Sequence, residues 1–190
     1  PSTPSSNRRQ RQMCIRDRVS VLKKDYRDLR GEFDKLVSIE MIEAVGHHFY
    51  KTFFQTCSRL LKVDGLMALQ AITIGDHVFD RHKRSVDFIK RYIFPGSCIP
   101  SITAISNAVA GSTDLRLVHL DDITPHYART LREWRRRFFT NIDKVREMGY
   151  SDTFIRMWEY YLCYCEGGFA ERYISDVQML FAKPLYRWND

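Results

Sequence analysis

Residues 33–46 read FDKLVSIEMIEAVG and change character halfway along. The first seven, FDKLVSI, follow the Gly31 turn and read as a strand, its last residues a short apolar run of the kind that is buried. Two carboxylates then follow, Glu40 and Glu43, three residues apart. In an open parallel sheet, ligands gather outside the carboxyl ends of the strands, and this is such an end. If the chain turns into helix after Ile39, residues three apart share a face, and both acids point over the sheet edge into a cleft. Acids so placed can coordinate a cation, accept hydrogen bonds, or act as a base once their pKa is raised. The spacing is equally compatible with one of them capping a helix or pairing with a nearby arginine.

The pattern outward from this stretch alternates short strands with long helices. HFYKTFFQTCSRLLK (48–62) sets Phe49, Phe53, Cys57 and Leu60 on one helical face, VDG (63–65) reads as a turn, and LMALQAITI (66–74) as a fully buried strand. Two strands separated by a helix predict a parallel βαβ unit. Residues 75–114 are less regular, with a short helix expected over 101–110. LRLVHLDDI (115–123) is a strand, and a long helix follows with Thr124 as its expected N-cap and Pro125 in its first turn. Its apolar stripe runs Tyr127, Leu131, Trp134, Phe138, Ile142, Val145; Arg135, Arg136 and Arg137 lie mostly off it and read as a solvated face. Ser151 caps a second helix striped by Phe154, Trp158, Leu162, Cys165 and Phe169, and ISDVQMLFAK (174–183) is a final strand. The fold class is therefore α/β.

The 190 residues suffice for one domain with a substantial core, and a 44% hydrophobic, 13% aromatic composition is that of a folded protein. Residues 1–18 hold five arginines against Asp17, so over half of the net charge of +7 sits in a segment with little apolar content. That segment reads either as a basic arm or, through RRQRQMCIRDR, as translated sequencing-adapter DNA. We treat 1–18 as a non-native or disordered tail and 19–190 as the domain. Five irregularly spaced cysteines form neither a disulfide framework nor a zinc site, pointing to a reducing compartment. Six histidines without HExxH or similar spacing assign no metal.

The segments DYRDLRGEFDKLVSIEMIEAVG, LMALQAITI, FIKRYIFPGSCIPS, HYARTLREWRRRF, FIRMWEYYLCYCEGGF and VQMLFAKP together resemble the C-terminal half of a cyclopropane-fatty-acyl-phospholipid synthase, a class I S-adenosylmethionine-dependent methyltransferase. They stand in that family's order and spacing and cover nearly the whole body. The resemblance implies the second half, the last four strands, of a Rossmann-like sheet with flanking helices, its N-terminal half missing. The glycine-rich loop for the methionine end of the cofactor would lie in that other half; no G-x-G-x-G occurs among the nine glycines here.

The implied reaction is methyl transfer from S-adenosyl-L-methionine to a cis double bond of an unsaturated phospholipid acyl chain, with a bound bicarbonate ion taking the proton whose loss closes a cyclopropane ring. Carried over, the bicarbonate site comprises Glu43, the backbone at Ile72, and Tyr127, with Gln70 where a histidine is often found. Gln can hydrogen-bond the ion but cannot carry a proton. Asp25 and Tyr26 match positions beside the adenine, and Glu40 is grouped with the cofactor. Cys165 matches a cysteine once regarded as a nucleophile, although its apolar stripe favours a packing role. The implied setting is cytoplasmic and peripheral to a membrane, with phospholipid as partner, a homodimer as its assembly, and no nucleic acid. The competing functions are methylation of a small amine and, in a different class, a basic nucleic-acid or membrane-binding module. The aromatic-rich segment 86–102 weighs toward a greasy substrate.

Overall fold

The structure, a computed structural model, describes residues 19–188. The assignment of residues 1–18 as a tail lies outside the described residues. Four strands form one sheet in the order β1-β2-β4-β3, with β1 Phe33–Ile39, β2 Leu61–Ile74, β3 Arg116–Asp122 and β4 Ile174–Ala182. β1 and β2 are parallel, as the βαβ reading requires, while β4 runs antiparallel to both of its neighbours, β2 and β3. The helices are α1 Ile42–Val45, α2 Tyr50–Leu60, α3 Asp76–His82, α4 Ile102–Ala110, α5 Thr124–Thr140, α6 Ile142–Glu147 and α7 Asp152–Ala170.

Alternation along the central strands assigns each face of the sheet a different task. Met67, Leu69 and Ala71 of β2, with Val177, Met179 and Phe181 of β4, pack in one core with Phe53, Phe54 and Cys57 of α2 and Ile105 of α4. Phe53 and Phe54 meet edge to face at 5.1 Å, and Phe54 meets Phe181 at 6.0 Å. Each fully buried aromatic contributes about 1.5–3 kcal/mol through burial. The intervening residues of β2 and β4 face α5 and α7, where Leu131, Leu162 and Phe169 form a smaller core with Ile72 and Ile174 against it. The helices start where the sequence indicates: Ser101 Oγ accepts from Ala104 N at 3.1 Å and Ser151 Oγ from Phe154 N at 3.2 Å.

Several local expectations are corrected. VDG is not a turn: residues 63–65 belong to β2, and the irregularity is a register shift in which Phe33 pairs Leu61 but Lys35 pairs Leu66. That stretch stays extended because Gly65 O accepts from Lys183 N and Val63 O from Leu185 N. The helix expected over 48–62 splits into a 3-10 turn, His47–Phe49, and α2, which leaves Phe49 exposed. Thr124 is the first residue of α5 and not its cap; Asp122 Oδ1 accepts from its backbone N–H and its hydroxyl donates to the same carboxylate. The long stripe breaks at Asn141, between α5 and α6, and Trp134 is exposed. The arginine run is a paired helix face: Arg136 and Arg137 bind Glu133, while Arg132 and Arg135 reach Glu166.

The burial expected of the β1 run is not observed: among the described residues β1 pairs with β2 alone, its other edge is open, and Val37 is 66% and Ile39 63% exposed. An open apolar edge recruits another strand. The isolated chain is expected to self-associate, and Val37→Lys to shift it toward monomer in sedimentation velocity with little change in melting temperature. An unchanged association state in the variant would place the contact elsewhere.

Candidate active site

The site is assembled where β1 stops. Glu40 N still donates to Gln70 O at 2.9 Å, the last rung of the β1–β2 ladder. Glu40 then takes φ +48°, a left-handed conformation costing an L residue about 1–2 kcal/mol, and the chain leaves the sheet. The N–H of Ile72, next along β2 on that side, loses its strand acceptor. Glu43, in the first turn of α1, supplies a replacement: its Oε1 accepts from Ile72 N at 2.6 Å. The two acids are thus brought together by a left-handed turn and a short helix, not by one continuous helical face.

Glu40 is held by two donors. Gln70 Nε2 donates to its Oε1 at 2.9 Å and Tyr127 OH to its Oε2 at 2.9 Å, with the Tyr127 ring stacked 4.5 Å from Phe169. Gln70 also donates to Asp176 Oδ2 at 3.0 Å and accepts from Gln178 Nε2 at 3.0 Å. Asp176 is completely buried, its backbone N–H donating to Thr124 Oγ1 and its carbonyl accepting from Ile123 N. Sequence reasoning missed Asp176. The signal was present: an acid among apolar residues in ISDVQMLF, on the strand face that also carries Gln178.

Three carboxylates therefore share one poorly solvated end of the fold. Burial, opposed by the hydrogen bond from Ile72, pushes Glu43 up to about 7. Burial and the charges of Glu40 and Glu43 push Asp176 up to about 7. Glu43 Oε2 and Asp176 Oδ1 are buried without a partner. Burial and the neighbouring Glu40 keep the Tyr127 phenol protonated.

A cavity of about 480 Å³ opens beside this cluster, within the usual size range for small-molecule sites. Glu40, Glu43, Ile72, Tyr127 and Cys165 all line it, joined by buried Ile74, Leu131 and Phe169. Gln70 stands behind Glu40, its amide turned to the two acids. Burial pushes the Cys165 thiol up to about 12, which keeps it protonated at neutral pH. Asp25 and Tyr26 lie apart from this cavity. They precede β1, where Asp25 caps a 3-10 turn and accepts from the Arg27 backbone and guanidinium, which hold it near 2. Tyr26 lines a second, shallower cavity of about 280 Å³ with Met41, Val45 and Phe49, and Ala44 borders both cavities.

The raised carboxyls carry a stability signature. Folded Glu43 and Asp176 titrate near 7, against ordinary values of 4.5 and 3.8. Between about pH 4 and 7 the folded state binds more protons than the unfolded one, so their contribution is greatest below pH 4 and is lost as pH rises to 7. Asp176→Asn keeps an acceptor for Gln70 and removes one titrating group. Its melting temperature should fall less than the parent's between pH 5 and 8 by scanning calorimetry; an identical decline would assign the slope to other groups.

The family described as mycolic acid cyclopropane synthetase matches residues 4–179. The tuberculostearic acid methyltransferase UfaA1 of Mycobacterium tuberculosis is 41% identical over 161 residues, covering 85% of this chain and 38% of the relative. The cyclopropane-fatty-acyl-phospholipid synthase of Escherichia coli is 38% identical over 168 residues, covering 87% of this chain and 41% of the relative. The chain thus spans about two fifths of the length of these relatives. Among solved structures, the cyclopropane synthase MmaA2 of M. tuberculosis superposes with a TM-score of 0.78 at 25% identity, covering 94% of this chain and 67% of that one. The mycolic acid cyclopropane synthase CmaA1 complexed with SAH and CTAB superposes with the same TM-score at 27% identity and the same coverage. The sheet with its reversed β4 is thus part of a class I methyltransferase fold, and the chain belongs to the mycolic acid cyclopropane synthetase family.

Proposed function

We propose that the complete protein transfers a methyl group from S-adenosyl-L-methionine to the cis double bond of an unsaturated phospholipid acyl chain and closes a cyclopropane ring. The observation that carries this reading is a largely apolar cavity lined by Glu40 and Glu43, with the buried Asp176 linked to Glu40 through Gln70, and Glu43 and Asp176 both pushed up to about 7. An acyl chain needs the first, and a reaction that ends in proton loss needs the second. The E. coli relative is a cyclopropane-fatty-acyl-phospholipid synthase, which supports the lipid class. No described helix is long and apolar enough to cross a membrane; the proposed reaction takes place at a membrane surface on the cytoplasmic side.

The cofactor, when bound, supplies an electrophilic methyl group. The groove of Tyr26, Met41, Val45 and Phe49 suits its adenine, since aromatic and apolar surfaces take a flat ring, and Ala44 adjoins both groove and cavity. Asp25 would accept from the adenine amino group only in competition with Arg27. The walls at Ile74, Leu131 and Phe169 hold the chain in line and exclude water, which a weak alkene nucleophile requires. As the new carbon–carbon bond forms, the other alkene carbon becomes cationic. A proton then leaves the added methyl group, and its C–H electron pair closes the ring. Glu43, pushed up to about 7 and with Oε2 unpaired, would hold the group that takes that proton.

Bicarbonate fits this end only with Glu43 protonated, because three carboxylates would otherwise repel it. Protonated Glu43 would then donate to it, and the Ile72 N–H and the Tyr127 hydroxyl would join only by leaving Glu43 Oε1 and Glu40 Oε2, to which they donate. Gln70, engaged with Glu40 and Asp176, acts through those acids.

In the complete protein, Glu43→Gln should abolish lipid product with the fold retained. Tyr127→Phe should slow the reaction by about tenfold, the value of one hydrogen bond of about 0.5–1.5 kcal/mol. Glu40→Gln should cost less than Glu43→Gln. Fatty-acid methyl ester analysis of cells fed a labelled methyl donor measures all three. Near-normal product from Glu43→Gln would overturn the assignment, and a methyl-branched product in the parent would overturn ring closure.

A further inference from the structure

The outer part of the cavity lining holds polar groups that the methyl transfer does not use. Arg81 and Ser85 line the cavity and are exposed, which marks its mouth. His82 lines it too but is only 9% exposed, and its Nε2 is buried without a hydrogen-bond partner.

The segment 76–94 carries five lysines and arginines against three aspartates. Most of the cations are engaged within the segment. Lys83 pairs with Asp80, Arg84 Nε donates to Asp80 O, Lys90 Nζ to the carbonyls of His82 and Ser85, and Arg91 Nε to Tyr92 OH. Arg81 has no side-chain hydrogen bond or ion pair among the described residues. Asp87, the carboxylate on this wall, accepts from Lys90 N through its Oδ1. Phe94 lines the same cavity, and Val86 lies between two lining residues; they are 53% and 71% exposed.

We propose that Arg81 and His82 form a glycerophosphate subsite at the mouth of the acyl cavity, Arg81 taking the phosphodiester and His82 Nε2–H donating to the acyl ester carbonyl. This rests on the phospholipid reading above and assigns residues to the headgroup end of the same substrate. A guanidinium at an open mouth recognises a phosphate through paired N–H groups. A neutral imidazole suits an uncharged ester, and burial, with Lys90 nearby, holds His82 below its usual range and so neutral. The exposed Val86 and Phe94 then face the lipid from which the chain is drawn.

The test is binding, so it stands apart from turnover. Calorimetry on the complete protein would compare dihexanoylphosphatidylglycerol, dihexanoylglycerol and inorganic phosphate; none has a double bond to methylate. Arg81→Gln should weaken the phospholipid about tenfold and leave dihexanoylglycerol unchanged. His82→Phe should weaken both lipids, and His82→Gln, which keeps a donor, should restore most of the loss. Arg84→Gln removes the same charge away from the cavity and should change neither. Equal loss from Arg81→Gln and Arg84→Gln would reduce the effect to bulk surface charge and overturn the subsite. So would equal loss of both lipids in Arg81→Gln, no loss in any variant, or inorganic phosphate binding as tightly as the phospholipid. A protein that binds as predicted but methylates no lipid would refute the proposed reaction and leave the subsite standing.

Discussion

One unpaired backbone donor organises this end of the molecule. When β1 turns away at Glu40, the N–H of Ile72 in the central strand is left facing a gap. A buried N–H without an acceptor costs about 1–3 kcal/mol, so the gap must be filled by a side chain or a ligand. Glu43 fills it, and one of its oxygens is thereby committed while the other stays buried without a partner. The short α1 helix exists to bring that carboxylate back to the strand it has just left. The cavity's chemistry follows from where a parallel ladder stops.

The second constraint is electrostatic. Glu40, Glu43 and Asp176 cannot all be ionised in a poorly solvated space without mutual repulsion. The fold resolves this unequally. Glu40 takes donors on both oxygens, from Gln70 and Tyr127. Glu43 and Asp176 each keep a buried oxygen without a partner, and both are displaced toward neutral pH. Two of the three acids are thereby made exchangeable, which suits proton handling beside an apolar chain. Asp176 and Glu40 are bridged by a single Gln70 amide, so the strand from one end of the sequence is coupled to the turn near the other.

The two faces of the sheet divide stability from function. On one face, Phe53, Phe54, Met67, Met179 and Phe181 interlock in a dry core. On the other, the layer formed by α5 and α7 is held near the sheet by Leu131, Leu162 and Phe169, and the cavity opens beside it. The polar residues Gln70, Asp176 and Gln178 all fall on this second face because a strand alternates its side chains. A cavity on the first face would have cost the core its packing.

Local pattern in the sequence determined much of this. The strands β1, β2 and β4, the cap at Ser151, and the closeness of Glu40 and Glu43 at a strand end are all properties of neighbouring residues, and each was legible. The motifs shared with methyltransferases supplied the sheet to which they belong. Interactions between distant residues were not legible. Asp176 joins the site because an antiparallel β4 is inserted beside β2 in a register that sets it diagonal to Gln70, a contact across 106 residues. Residues 63–65 remain strand because the chain near Lys183 pairs with them, and Thr124 starts a helix instead of capping one because Asp122 and Asp176 both engage its hydroxyl. Glycine, aspartate and threonine have weak local preferences, so hydrogen bonds from remote strands outweigh them. Tertiary structure decided which acids are buried together, and burial is what gives them their chemistry.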